Sequence, residues 1–189
     1  MNTKLIIIIA FSFLYGLFEI FMSRRLKSTR NISKSGDKGS IWLLTLSISL
    51  GFWLSFIVAS TKTGRIYHWD TFFIFGSVLV ITGLIIRVNS ILTLKQQFTY
   101  TVTRIDNHEL IETGLYKILR HPGYLGQLLI FLGIATSLSN WLSILLMIIP
   151  VLLGYLNRIV VEEKFMVEQI GQKYIDYQKR TKRLIPKIY

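Results

Sequence analysis

Four long apolar stretches dominate this chain and fix what it can become. Leu5 to Met22 carries a single charge, Glu19, and Ile41 to Ser60 carries none. Trp69 to Leu94 holds Asp70 near its start and Arg87 near its end. Tyr124 to Val161 is apolar apart from Arg158 and a polar break at Ser137 to Asn140. A bilayer span needs about 20 apolar residues. The first three stretches meet that length, and the fourth is long enough for a helical hairpin turning at Ser139-Asn140. The expected fold is an all-α integral membrane protein with five transmembrane helices. Mean hydropathy of +0.48 agrees with that class.

Charge then orients the chain. Of 22 Lys and Arg residues, only Lys4, Lys62 and Arg65 lie outside the 23–40 loop, the 87–120 segment and the tail from Arg158. The positive-inside rule places the 23–40 loop, the 95–120 segment and the C-terminus in the cytosol and the N-terminus and the 61–68 loop outside. Five helices satisfy the alternation. The net charge of +12 therefore needs no nucleic acid, because anionic lipid headgroups suffice as its partner. Lys4 and the first apolar run resemble the start of a signal peptide. No small-x-small cleavage site follows and the run ends in Arg24-Arg25, so it is read as a retained span.

There is no cysteine, which excludes disulfides and thiol chemistry. His68, His108 and His121 lack the close spacing of metal ligands, and no metal is expected. The chain divides into a three-helix membrane region, 1–94, and a C-terminal region, 95–189, within one structural domain. The 23–40 loop reads as a flexible connection and 95–113 as an ordered cytosolic loop. Thr113 and Gly114 open a short helix over Leu115 to Leu119. Pro122 suits the first turn of the next helix, and Pro150 is expected to kink the last apolar one. Phe165, Met166, Ile170, Tyr174 and Tyr177 space an amphipathic helix over 162–182, weakened at Gly171.

The ionisable residues at the helix ends carry the chemistry, because charge at that depth is costly. Arg120 and His121 beside the helix start at Pro122 form a candidate anion site, reinforced by the helix N-terminus. Snorkelling of Arg120 to headgroups is the bland alternative. Tyr116 and Tyr124 are either belt aromatics or rings for a nucleoside. Arg158 and Glu162 share a helix face. They form either an intrahelical pair or a carboxylate-binding arginine beside an acid that balances a cation. Glu162 and Glu163 point in different directions on a helix and should do different work. Arg87 is read as snorkelling, with a place in the same polar cavity as the alternative.

Taken together, HELIETGLYKILRHPGYLG at 108–126 and NRIVVEEKFMVEQIGQKYIDYQKRTKRLIP at 157–186 resemble the isoprenylcysteine carboxyl methyltransferase family, part of a wider group of integral-membrane methyltransferases. The resemblance implies an S-adenosyl-L-methionine pocket facing the cytosol, formed by the C-terminal half. By matching motif positions it implies cofactor contacts at His108, Glu109, Leu110, Ile111, Tyr116, His121, Pro122, Gly123, Tyr124 and Glu162. It implies that Arg158 orients the substrate carboxylate as the catalytic and substrate-binding residue. Gly123, where eukaryotic members often carry Ser, and the short chain look like a compact prokaryotic member. The implied substrate is a lipophilic or lipidated molecule entering from the bilayer and methylated on its carboxylate. Phospholipid or amine N-methylation, an NADPH-dependent sterol-type reductase and a non-enzymatic scaffold are the competing readings. Glu163 would assist deprotonation of an amine acceptor.

Overall fold

The computed structural model describes residues 3–25, 32–35, 39–95, 103–105 and 110–186. His108 and Glu109 lie outside them, as does half of the basic 23–40 loop. The elements run α1 (Thr3–Arg25), β1 (Ile32–Ser35), α2 (Ser40–Ala59), α3 (Trp69–Leu94), β2 (Thr103–Ile105), a 3-10 turn (Gly114–Lys117), α4 (Pro122–Ser137), α5 (Trp141–Ile170) and α6 (Gln172–Arg180).

Four long apolar helices and a shorter one, α4, are present where the sequence placed five. α1, α2, α3 and α5 are each long and apolar enough to cross a membrane. α4 has 16 residues, about 24 Å at 1.5 Å per residue. That is short for a hydrocarbon core of about 30 Å, and its neighbour α3 shields it. α5 has 30 residues, about 45 Å, so its C-terminal part extends beyond the core. The protein is an integral membrane protein, and its many exposed large apolar side chains, such as Trp42, Trp53 and Phe13, face where lipid would lie.

Glycines set the helix spacing. A Cβ at Gly76 would lie 2.5 Å from the Gly133 carbonyl oxygen, and one at Gly133 equally close to that of Gly76. Gly83 and Gly126 repeat this relationship one heptad along, at 2.5 and 2.7 Å. In a bilayer no hydrophobic force draws helices together, so close backbone approach and dispersion must hold α3 to α4. α2 meets α5 the same way. A Cβ at Gly51 would lie 2.9 Å from the Met147 oxygen and 3.2 Å from that of Leu146. Leu146 is the carbonyl that Pro150 cannot bond within the helix. α5 continues through Pro150 as one helix, with Gly51 packed against that carbonyl.

The connections segregate to two ends. At one end, the Ile66 amide donates to the Ser139 carbonyl at 2.8 Å and Trp141 to that of Gly64 at 3.0 Å. The turn does fall at Ser139-Asn140. Asn140 caps α5 by accepting from the Ser143 amide and donates its own amide to the Thr63 carbonyl at 2.7 Å. At the other end, β1 pairs antiparallel with β2, with Ile32 opposite Ile105 and Ser35 opposite Thr103. This alternation is the one that charge predicted. β1 corrects the expectation of a plain flexible connection at 23–40, and β2 is a strand within the 95–113 segment read as an ordered loop. The C-terminal segment also differs. Gly171, at φ 67, ends α5 and starts α6, so two helices replace the single one expected over 162–182. α6 turns Tyr174 and Tyr177 inward against the protein.

Candidate functional site

The segment Gly114–His121 is held in place by the tail. Arg120 donates its amide to the Lys182 carbonyl at 2.7 Å, His121 to that of Arg183 at 3.1 Å, and Lys182 to that of Ile118 at 3.0 Å. The Tyr177 hydroxyl donates to the Tyr116 carbonyl at 2.7 Å. Burial raises the Tyr177 phenol well above its ordinary value, so it remains a neutral donor. Burial first, and then the charge of Glu162, raises Tyr116 likewise.

Glu163 is the centre of this anchorage. Arg120 Nε donates to its Oε1 at 2.6 Å and Arg183 Nε to its Oε2 at 2.9 Å. His121 Nε2 lies 3.3 Å from Oε1. Arg120 Nη1 also donates to the carbonyls of Gln178 at 3.1 Å and Thr181 at 2.5 Å. The turn before α4, α6 through Gln178 Nε2 at 3.4 Å and the tail thus converge on one buried carboxylate. Arg120 is neither a snorkelling residue nor a ready anion receptor, because these contacts hold it in the wall. The start of α4 is also a weaker anion site than the sequence suggests. Pro122 brings no amide, and those of Tyr124 and Leu125 turn back to the His121 carbonyl at 3.1 and 3.2 Å.

Glu162 faces the other way, as its position on the helix required. It lines a cavity of about 580 Å³ walled by α1, α2, α4, α5 and the 110–121 segment. The Tyr124 hydroxyl donates to Glu162 Oε2 at 2.7 Å, and His121 Nδ1 lies 3.9 Å from the same oxygen. The His121 and Tyr124 rings stack at 5.4 Å with only 4° between their planes, and Tyr155 packs on Tyr124 at 5.0 Å. Arg158, 2 % exposed, lies on the same wall. Its Nη1 donates to Ser40 Oγ at 2.6 Å, so the first turn of α2 fixes the guanidinium.

Leu110, Ile111, Tyr116, His121, Gly123, Tyr124, Arg158 and Glu162 therefore all line one cavity. Pro122 is buried behind that wall and opens α4. His108 and Glu109 lie outside the described residues. Arg87 takes the alternative place the sequence offered, in the cavity wall, but its partner there was not foreseen. Arg87 Nε and Nη2 donate to Glu19 Oε1 and Oε2, both at 2.9 Å, and the Tyr15 hydroxyl donates to Glu19 at 2.7 Å. Arg87 is 3 % exposed, which overturns the snorkelling reading. The available signal was a lone acid in α1 and a lone base deep in α3, the charges most in need of each other.

The arrangement matches known proteins. A family model described as phospholipid methyltransferase matches residues 71–173. The chain belongs to the phospholipid methyltransferase family. Within that family it is 32% identical over 114 residues to protein-S-isoprenylcysteine O-methyltransferase B of Arabidopsis thaliana, covering 59% of this chain and 58% of that protein. It is 33% identical over 115 residues to the protein-S-isoprenylcysteine O-methyltransferase of Saccharomyces cerevisiae, covering 60% and 48%. Among solved structures it superposes on the eukaryotic intramembrane Ras methyltransferase ICMT (isoprenylcysteine carboxyl methyltransferase), with a TM-score of 0.62 and 26% identity over 76% of this chain and 52% of that one. The resemblance read from the motifs is borne out, and the membrane fold is shared. The chain spans 58% of the first of these relatives and about half of the other two.

Proposed function

We propose that the chain is an S-adenosyl-L-methionine-dependent methyltransferase acting on the carboxylate of an isoprenylcysteine-like acceptor that reaches the cavity from the bilayer. The observation that carries this is the convergence of Arg158, Glu162, His121 and Tyr124 on one apolar-walled cavity at the end of a membrane bundle. The donor set fits the cofactor. Glu162 offers a carboxylate for a sulfonium, an ammonium or ribose hydroxyls, the stacked His121–Tyr124 pair offers a ring face, and Leu110 and Ile111 offer apolar contact. When bound, the cofactor supplies an electrophilic methyl group on a positively charged sulfur.

The chain's own residues would bind, orient and exclude water. Methyl transfer to a carboxylate needs no proton removed, so alignment and desolvation are what the site must provide. Arg158 can grip an acceptor carboxylate with its planar fork, and Ser40 holds that fork at a fixed angle. Tyr124 and His121 hold Glu162 toward the cavity. Glu163 has no part in the reaction under this reading, because it is buried among Arg120, His121 and Arg183. That removes the base suggested for an amine acceptor. A reductase reading fares worse, since a phosphorylated nicotinamide cofactor needs basic groups to receive it. Arg87 and Arg120 are already engaged by Glu19 and Glu163. By the charge rule, the cavity and the C-terminus face the cytosol and the N-terminus faces outside.

The test is transfer of labelled methyl from S-adenosyl-L-methionine to N-acetyl-S-farnesyl-cysteine by the purified protein. A carboxyl methyl ester releases methanol in alkali, whereas an N-methyl product does not. Alkali-labile label, lost in Arg158→Ala, is the expected outcome. Alkali-stable label on an added aminophospholipid, with none on the cysteine, would overturn the carboxylate assignment.

A further inference from the structure

The cavity lining changes character one turn inside its rim. On α4 it runs Gly123, Tyr124, Gln127, Phe131 and Ile134, residues spaced to lie on one face of the helix. Gln127 sits about 4.5 Å beyond Tyr124 along that face, at 1.5 Å per residue. Phe131 follows, with the Tyr15 ring set edge-on to it at 6.4 Å, and from there the α4 lining is apolar. α5 runs the opposite way. Its Tyr155 packs on Tyr124 at 5.0 Å, and Arg158, one turn later, lies nearer the rim. Arg158 and Gln127 thus mark successive levels of the cavity, the first at the rim and the second just inside it.

Many polar side chains in that lining already have protein partners. Ser12, Ser23 and Thr45 each donate to a carbonyl of their own helix at 2.8 Å. Glu162 receives Tyr124, and Glu19 receives Arg87. Gln127 differs. It is half-buried, and its carboxamide meets no hydrogen-bond partner among the described residues. That carboxamide carries two N–H donors and a carbonyl acceptor. Left unmatched in an apolar helix at this depth, it costs free energy. Helix packing does not account for it, because the contact of α4 with α3 is made by Gly126 and Gly133.

We propose that Gln127 is a specificity-determining residue that hydrogen-bonds an amide of the acceptor, the N-acyl group of a carboxyl-terminal cysteine residue. The proposal rests on the carboxylate-acceptor reading above. With the carboxylate gripped at Arg158, the amide on the neighbouring carbon lies within about 5 Å of it, a step of about one helical turn. Gln127 Nε2 can donate to the acyl carbonyl, or Oε1 can accept from the amide N–H. The site would then prefer a peptide-like carboxyl terminus to a plain thioether acid carrying the same lipid. Such a preference is steep, because an acceptor without the amide leaves the carboxamide unmatched.

The experiment uses the full chain and two acceptors that differ at one position. N-acetyl-S-farnesyl-cysteine carries the amide, and S-farnesyl-3-mercaptopropionate has hydrogen in its place. Both are measured with the wild type and with Gln127→Met, which keeps length and helix propensity and removes the polar atoms. The readouts are kcat/KM for alkali-labile methyl, the acceptor-induced rise in Tm, and S-adenosylhomocysteine affinity. The wild type should favour the amide acceptor about tenfold, mostly in KM. In Gln127→Met the two acceptors should become equal, with S-adenosylhomocysteine affinity unchanged. Equal use of both acceptors by the wild type would overturn the proposal and leave the carboxylate reading standing. So would a preference that survives in Gln127→Met, or a loss of S-adenosylhomocysteine affinity there with the preference intact, which would move Gln127 to the cofactor. A preference seen in Tm and lost in Gln127→Met, with no methyl ester formed, would uphold the contact and count against the methyltransferase reading. No rise in Tm and no ester with either acceptor would overturn both.

Discussion

Arg120 Nε meets Glu163 Oε1 across 2.6 Å, joining the turn before α4 to the end of α5 over 43 positions of sequence. With His121 and Arg183 on the same carboxylate, this bond makes the cavity rim one cross-linked unit. The adjacent acid, Glu162, is left to the cavity.

Removing Glu163 should therefore unfold the rim. Glu163→Ala leaves Arg120 buried without its counter-charge, and breaking a buried pair from one side costs about 3–5 kcal/mol. Glu162→Gln, in contrast, should change stability by less than about 1 kcal/mol while weakening cofactor binding. Thermal denaturation of the two variants in detergent separates them. Equal loss in both would mean that the two acids share one structural role.

The Arg87–Glu19 pair should behave as a coupled unit. Glu19→Ala strands a buried guanidinium and is expected to cost about 3–5 kcal/mol. The double replacement Glu19→Leu with Arg87→Met removes both charges and should recover most of that loss. A double-mutant cycle on Tm measures the coupling. Additive losses would show that the two side chains do not act together.

Ser40 should matter to the acceptor more than to the cofactor. Its hydroxyl accepts a charged hydrogen bond from Arg158, a class worth about 1.5–3 kcal/mol. Ser40→Ala should raise the acceptor KM about tenfold and leave S-adenosylhomocysteine affinity unchanged, with Ser40→Thr restoring much of the loss. An unchanged KM would remove Ser40 from the positioning of Arg158.

The α3–α4 seam should tolerate no side chain. At Gly83 a Cβ would sit 2.5 Å from the Gly126 carbonyl oxygen, which cannot move aside. Gly83→Val should cost about 1–3 kcal/mol or more through overpacking. Gly16→Val, facing open space, should cost far less. The same thermal assay ranks them.

The parts of this structure legible in sequence are those written in local pattern. Apolar length gave five helices, and the break at Ser139-Asn140 gave the hairpin turn. The His-Pro-x-Tyr stretch and the Arg158–Glu162 spacing gave most of the cavity rim. Long-range pairing was harder to read. Nothing local says that Glu19 will find Arg87 from 68 positions away, or that Arg120 will turn to Glu163 instead of to headgroups. Short strands such as Ile32–Ser35 also escape, because a four-residue run has too little period to register beside a charged loop. The α3–α4 seam was legible in principle. Gly76 and Gly83 face Gly126 and Gly133 with the same seven-residue spacing in both helices, a signature of close helix approach.

Calorimetric titration of the detergent-purified protein with S-adenosylhomocysteine, beside His121→Ala and Glu162→Gln, tests the account most directly. It predicts one site per chain in the wild type, with binding lost or weakened at least tenfold in both variants while their folds persist. A well-folded wild type that binds no S-adenosylhomocysteine, or variants that bind it as tightly as the wild type, would contradict the assignment of this cavity to the cofactor.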